Sequence, residues 1–309
     1  MELYKRLIRS REVRLRILRM LSWVPDDMML KIQYRIKTGR KLSLKDPRRY
    51  TEKVQWYKIN WRDPVMVPCV DKYDVRQFVK NRGLEHILNE CYGIYEDPEE
   101  VDFAKLPDSF VLKDTLGSGG DSIIVVEDKK MMDEAEVRRR LRNWCDTPAN
   151  IPDGGREWPY YSGKKHRIVA ERYISADKER GGLVDYKFHC FDGKPVLLYV
   201  IADRTLGNGA GFGFYDMDYN RLPYRRTDER ELTRVIEKPE NYEELVRVAK
   251  KLAEGFPHVR VDLYDQDNQI IFGELTFFDA SGYTVFEPDE VDFILGEQFK
   301  LPEPVLKGK

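Results

Sequence analysis

Between His258 and Gly282 the chain reads HVRVDLYDQDNQIIFGELTFFDASG, and apolar and polar residues alternate with a period of two. Val259, Val261 and Leu263 interleave with Arg260, Asp262 and Tyr264, and a second run starts at Ile270 after the polar cluster DQDNQ. Alternation on both sides of an Asp/Asn/Gln cluster predicts a β-hairpin turning within residues 265–269. The same signal predicts strands over 184–191 and 195–202 around the turn Asp192-Gly193. It also predicts a strand pair, 106–113 and 122–126, and a strand over 166–174. A period near 3.6 predicts helices over 3–21 (interrupted near Ser10), 26–38 between Pro25 and Gly39, 51–58, 133–144 and 241–256. Residues 71–79 form a further predicted helix, with Asp71 as N-cap and Gly83 beyond its end. In the 241–256 helix, Leu245, Val248, Ala249 and Leu252 share one face. Residues 95–102 read as an acidic linker and 146–165 as a polar loop. The run LGNGAGFG at 206–213 has a GxGxxG-like spacing but no following helix, so it reads as a mobile loop and not a dinucleotide turn. The element pattern is that of an α+β chain.

Asp262 and Glu274 lie twelve residues apart, one near the middle of each predicted strand. The turn brings them opposite each other, where facing side chains sit roughly 5 Å apart. Two readings are open from spacing: acids on the wet face of a surface hairpin, or a carboxylate pair that holds a cation such as magnesium between them. The apolar neighbours Leu263, Leu275 and Phe277 favour the second, because idle acids in a buried sheet are costly. If the two acids repel, Asp262→Asn should leave the sheet folded. Upstream, the strand FVLK ends on Lys113, and Gly117-Ser118-Gly119-Gly120 precedes the next strand. Strand, lysine, glycine-rich turn, strand suits a hairpin that covers phosphate, since glycine lets backbone N–H groups approach the oxygens; a plain flexible turn is the alternative. Arg204 is a candidate for holding an anionic substrate. Arg260, two residues before Asp262, points to the same face and is a candidate to stabilise an oxyanion.

Charge changes the picture at the N-terminus. The 309 residues sum to −1, yet residues 1–50 carry fifteen Lys/Arg against five Asp/Glu, or +10, which leaves −11 for the rest. A basic amphipathic start predicts either peripheral contact of residues 1–22 with an anionic membrane or polymer, or a solvated helix packed on the body. No apolar run reaches the length of a membrane span, and the start is too charged for a signal peptide. Cys69, Cys91, Cys145 and Cys190 are scattered without CxxC, and with four histidines no zinc spacing exists. Reduced thiols and a cytoplasmic location, at most peripheral at the inner face of the membrane, are expected. Nothing points to nucleic acid.

RVDLY, a turn, then FGELTF resembles the metal-binding end of ATP-grasp ligases. With TEKVQWYK at 51–58, FVLK…GSGG and DYKFHCF-DGKP, the chain resembles more narrowly the TupA-like ATP-grasp family of bacterial cell-surface polysaccharide clusters, over about residues 50–300. The resemblance implies an ATP-grasp fold of two α+β subdomains clamping ATP. Its expected parts are a basic helical extension at 1–62, an N-terminal part at 63–170 and a C-terminal part at 171–309. Lys72 matches a lysine that reaches the nucleotide phosphates, where the residues alone read as a plain first-turn lysine. Glu171 and Ile174 match the adenine contacts. Asp185 matches the acid on the ribose hydroxyls, and Lys187 a phosphate contact, where alternation alone reads both as a wet face. ATP and Mg2+ are the implied cofactors, with Asp262, Glu274 and Thr276 as metal ligands; Thr276 stands where many relatives have asparagine. The implied function is ADP-forming carboxylate–amine ligation, joining an amine to a uronic acid or amino-acid carboxylate of a polysaccharide or its precursor. Alternatives are a sugar kinase on the same fold and a glycosyltransferase, for which Asp216-Met217-Asp218 is the only DxD candidate.

Overall fold

The computed structural model describes residues 11–117, 122–151, 155–175, 182–205, 209–266 and 268–305. Eight α-helices are described: α1 (Arg11–Met20), α2 (Asp26–Thr38), α3 (Tyr50–Asn60), α4 (Met66–Val70), α5 (Val75–Asn81), α6 (Glu134–Cys145), α7 (Tyr242–Ala253) and α8 (Glu290–Gln298). The strands are β1 (Cys91–Tyr95), β2 (Phe110–Asp114), β3 (Ile123–Val126), β4 (Ile168–Arg172), β5 (Asp185–Phe191), β6 (Lys194–Thr205), β7 (Gly209–Tyr215), β8 (Arg221–Leu222), β9 (Arg225–Arg226), β10 (Arg230–Glu231), β11 (His258–Gln266), β12 (Gln269–Thr276) and β13 (Phe286–Glu287). They form a small sheet ordered β1-β4-β2-β3 and a large one ordered β10-β7-β6-β5-β11-β12, with β8 on β7.

Each sheet has its own core. Phe110, Leu112, Ile124, Ile168 and Ala170 of the small sheet pack with Val137 and Leu141 of α6. The large sheet packs Phe188, Val259, Val261 and Leu275 against α7, whose buried face includes the predicted Leu245, Val248, Ala249 and Leu252. Helix α3 joins this core through Tyr50, Val54, Tyr57 and Trp61. Its polar residues clamp the C-terminal segments: Lys53 Nζ donates to the carbonyls of Gly296 and Phe299, and Gln55 Nε2 to those of Ser281 and Gly282. Lys58, wholly buried, donates to the carbonyls of Gly155 and Ser281.

Several predicted elements stand with their boundaries. Helix α2 ends at Gly39, which takes φ +75°, a conformation glycine adopts without strain. Asp192 and Gly193 both take positive φ in the β5–β6 turn, as a two-residue hairpin requires. Others differ. Asp71 accepts from the amides of Tyr73 and Asp74 (both 2.9 Å), which delays the helix to Val75; α4 precedes it. Residues 91–95, of which only Tyr95 falls in the expected acidic linker, form β1 against β4. The loop expected at 206–213 is, over its described residues, strand β7: Gly211 and Gly213 leave room for Leu232 and Arg221, and without side chains they mask the alternation. Four cysteines are free thiols. Among the described residues no helix is long and apolar enough to cross a membrane.

Candidate active site

The predicted acid pair meets as the alternation requires. In the β11–β12 ladder Asp262 faces Glu274 and Arg260 faces Thr276, all four on one face. Gly273 is the extra residue of a bulge immediately beyond; a Cβ there would lie 2.9 Å from the Asp262 carbonyl oxygen, so only glycine allows the strand to bend at this point.

The pair is not two acids in repulsion. Asp262 is buried and accepts from Arg260 twice, Nε to Oδ1 and Nη2 to Oδ2, both at 2.7 Å. Lys187, opposite Asp262 on β5, donates to the same carboxylate. The expectation that Asp262→Asn relieves repulsion is therefore overturned, because Asp262 is the partner of two cations. Burial opposes its ionised form, but the Arg260 and Lys187 charges prevail and hold its pKa at about 2. Arg260 Nη2 also lies 3.2 Å from Glu274 Oε1 and 3.1 Å from Thr276 Oγ1. The three expected metal ligands thus converge on one point, held here by a guanidinium nitrogen. Carboxylate and hydroxyl oxygens suit a hard divalent cation, so the donor set fits magnesium with the guanidinium displaced. Among the described residues no three His, Cys, Asp or Glu side chains form a metal-holding group.

Sequence reasoning missed Asp279. It is buried, accepts from Arg260 Nη1 and lies 3.5 Å from Arg226 Nη1. Burial works against its charge, yet Arg260 and Arg226 keep its carboxyl well below the usual range. Its signal was faint: an acid three residues past Thr276, within an apolar run. His189, also buried, has its Nε2 4.0 Å from Asp279 Oδ2, and burial depresses its pKa to about 3, so it is neutral.

The nucleotide candidates gather on both sides of this cluster. Lys113 pairs with Glu171 (2.6 Å) across β2 and β4. Lys72 Nζ donates to the carbonyls of Asp114 and Gly117, tying its turn to the hairpin. Burial lowers its pKa, while the charge of Glu274 on the large sheet raises it and Lys113 lowers it further. Lys72 therefore feels charge from both sheets. Gly117 is required in the hairpin: a Cβ would come 2.3 Å from the Ser122 Cβ. Ser118, Gly119 and Gly120 lie outside the described residues, and Ile174 is half-buried just past β4. Asp185 is buried and paired with Arg204, with Lys187 at 3.9 Å, while its Oδ1 has no hydrogen-bond partner. A buried oxygen acceptor without a donor suits a ligand hydroxyl. Asp216 accepts from the amides of Asp218 (3.0 Å) and Asn220 (2.7 Å), so the DxD candidate is engaged in holding a turn.

A family model described as TupA-like ATPgrasp matches residues 52–300. Among solved structures, D-alanine–D-alanine ligase from Bacillus anthracis is 18% identical with a TM-score of 0.42, covering 74% of this chain and 67% of that one. The Helicobacter pylori D-alanine–D-alanine ligase is 14% identical with a TM-score of 0.44, covering 82% and 69%. N5-carboxyaminoimidazole synthetase from Staphylococcus aureus, complexed with ADP, is 13% identical with a TM-score of 0.40, and the chain spans about half of it, 53%, while 76% of this chain is covered. No curated protein matches the chain.

Proposed function

Because the chain belongs to the TupA-like ATP-grasp family, we propose that it is an ADP-forming carboxylate–amine ligase whose acid substrate is a uronic acid or amino-acid carboxylate of a cell-surface polysaccharide or its precursor. The observation that carries the reading is the convergence of Asp262, Glu274 and Thr276 oxygens beside Lys187, with Lys72 in the field of Glu274. A free carboxylate is a poor electrophile. Transfer of the γ-phosphoryl group to a carboxylate oxygen releases ADP and leaves an acyl phosphate. The amine nitrogen then attacks the acyl carbon, the bond to the phosphate oxygen breaks, and phosphate departs with the electron pair while the amine gives up a proton to solvent. Phosphoryl transfer needs positioning and charge neutralisation more than covalent help.

Lys72, Lys113 and Lys187 supply fixed positive charge for the triphosphate, and Asp185 offers its unpartnered Oδ1 to a ribose hydroxyl. Magnesium bound by Asp262, Glu274 and Thr276 would add divalent charge against the β- and γ-phosphates. Arg260 is the donor assigned to the oxyanion of amine attack, and Asp279 orients it. Arg204, expected as a free substrate anchor, is the partner of Asp185.

Two results test this. Lys113→Ala should weaken ATP binding about tenfold or more, the scale of one charge-assisted contact; unchanged affinity by calorimetry removes Lys113 from the site. Incubation with ATP, a uronic acid and hydroxylamine should yield a hydroxamate with ADP and phosphate. AMP and pyrophosphate would indicate adenylation, a stable sugar phosphate the kinase, and sugar transfer from a nucleotide sugar the glycosyltransferase.

A further inference from the structure

Helix α2 buries Met29, Leu30, Gln33 and Tyr34 against the body. Three apolar residues at intervals of four, Met28, Ile32 and Ile36, are instead exposed, at 54%, 47% and 50%. Residues at i, i+4 and i+8 form one continuous line along a helix, and Asp27, Lys31 and Arg35, all exposed, follow its edge, with Lys31 paired to Asp27 at 3.0 Å. Trp23, in the turn before the helix, is 78% exposed, and Ile17 and Met20 on α1 are exposed as well. Among the described residues this apolar line has no partner.

The exposure of Trp23 is built in. Arg156, buried, donates from Nη1 to the carbonyls of Ser22 (3.4 Å) and Val24 (2.9 Å) and from Nη2 to that of Leu21 (2.7 Å). Its Nη1 also reaches Asp26 (3.0 Å), which accepts from Arg62 at 2.8 Å. The backbone on either side of Trp23 is thus fixed to the body while its ring faces solvent. A rigid mount for an exposed indole is characteristic of a surface that meets something.

Charge selects the occupant. The first fifty residues carry +10 against −11 elsewhere, so this end repels a basic partner and attracts an anionic surface. Apolar side chains with an interfacial tryptophan, edged mainly by basic residues, match the boundary between headgroups and acyl chains. We propose that Trp23 and the Met28, Ile32, Ile36 line of α2 form a docking face for an anionic lipid bilayer. This goes beyond a basic arm at residues 1–22, because apolar insertion by the folded helix, and not charge alone, holds the protein on the surface.

The test uses the full chain with vesicles of phosphatidylcholine alone and vesicles that also contain phosphatidylglycerol. The chain should sediment with the second and not the first, and its tryptophan emission should shift to the blue. Trp56, Trp61, Trp144 and Trp158 are less exposed than Trp23, so Trp23→Phe should abolish the shift while binding persists. Ile32→Asn with Ile36→Asn, both at exposed sites, should weaken partitioning about tenfold or more, the scale of losing two apolar contacts, with unchanged circular dichroism. Deleting residues 1–20, which leaves Leu21, Ser22 and Val24 to accept from Arg156, should reduce binding at low salt but keep the Trp23 shift. The proposal is overturned by absence of binding to anionic vesicles, by equal binding of the double variant, or by a shift that survives Trp23→Phe. Self-association that the double variant abolishes, without lipid binding, would instead make a second copy the occupant.

Discussion

Asp262→Asn should lower turnover about a hundredfold to a thousandfold, the scale of one preorganised electrostatic contact, and should also destabilise the fold. The two effects come from one carboxylate. As a charge it faces the phosphate-binding side; as an acceptor it holds Arg260 at 2.7 Å and Lys187 beside it. Removing one member of a buried ion pair costs about 3–5 kcal/mol, because its partner stays desolvated without compensation. Arg260 retains Asp279, so the lower end of that range is expected. Thermal unfolding reads the second effect, and ADP release measured well below the melting temperature reads the first. Wild-type turnover in the folded variant would remove Asp262 from the site. A wild-type melting temperature would show that the ion cluster contributes nothing to stability.

Arg260→Met keeps much of the side-chain volume and deletes the charge. Three acids lose their common partner: Asp262, Glu274 and Asp279. At neutral pH the variant should be less stable by about 3–5 kcal/mol. The pH dependence follows from sign. The folded pKa of Asp262, about 2, lies below its ordinary 3.8, so its stabilisation is present above about pH 4 and is lost as pH falls toward 2. Without Arg260 each buried carboxyl keeps one cation, Asp262 its Lys187 and Asp279 its Arg226, so burial is offset less and the depression of both carboxyls shrinks. The wild-type and variant stability curves should therefore converge as pH falls from about 4 to about 2. Magnesium gives a second readout. With the guanidinium gone from the point where three oxygens meet, the metal should raise the melting temperature of Arg260→Met more than that of the wild type. Equal shifts would mean that the guanidinium and the metal do not share that point.

Parts of the site were legible in the chain because they depend on local periods. The alternation about DQDNQ predicts that Asp262 and Glu274 face each other, and they do. Two-residue alternation at Asp185 and Lys187 likewise puts both on the face that meets Asp262 and Arg204. Strand β7 was hidden because its alternate positions are glycines, whose omission of a side chain erases the hydrophobic count. Strand β1 was hidden because its five residues are all half-buried, so neither face carries a clear pattern.

The sequence by itself determined the local elements, the family and the types of residue brought to the site, since helix caps, hairpin turns and alternation act over a few residues. Tertiary structure alone decided which charges pair. That Lys187 neutralises Asp262, that Arg260 is shared with Asp279, and that Lys58 and Gln55 of α3 hold the loop after β12 each depend on contacts between residues 19 to more than 220 positions apart. Coulomb energy depends on distance and on burial, and neither is set until the sheets have packed.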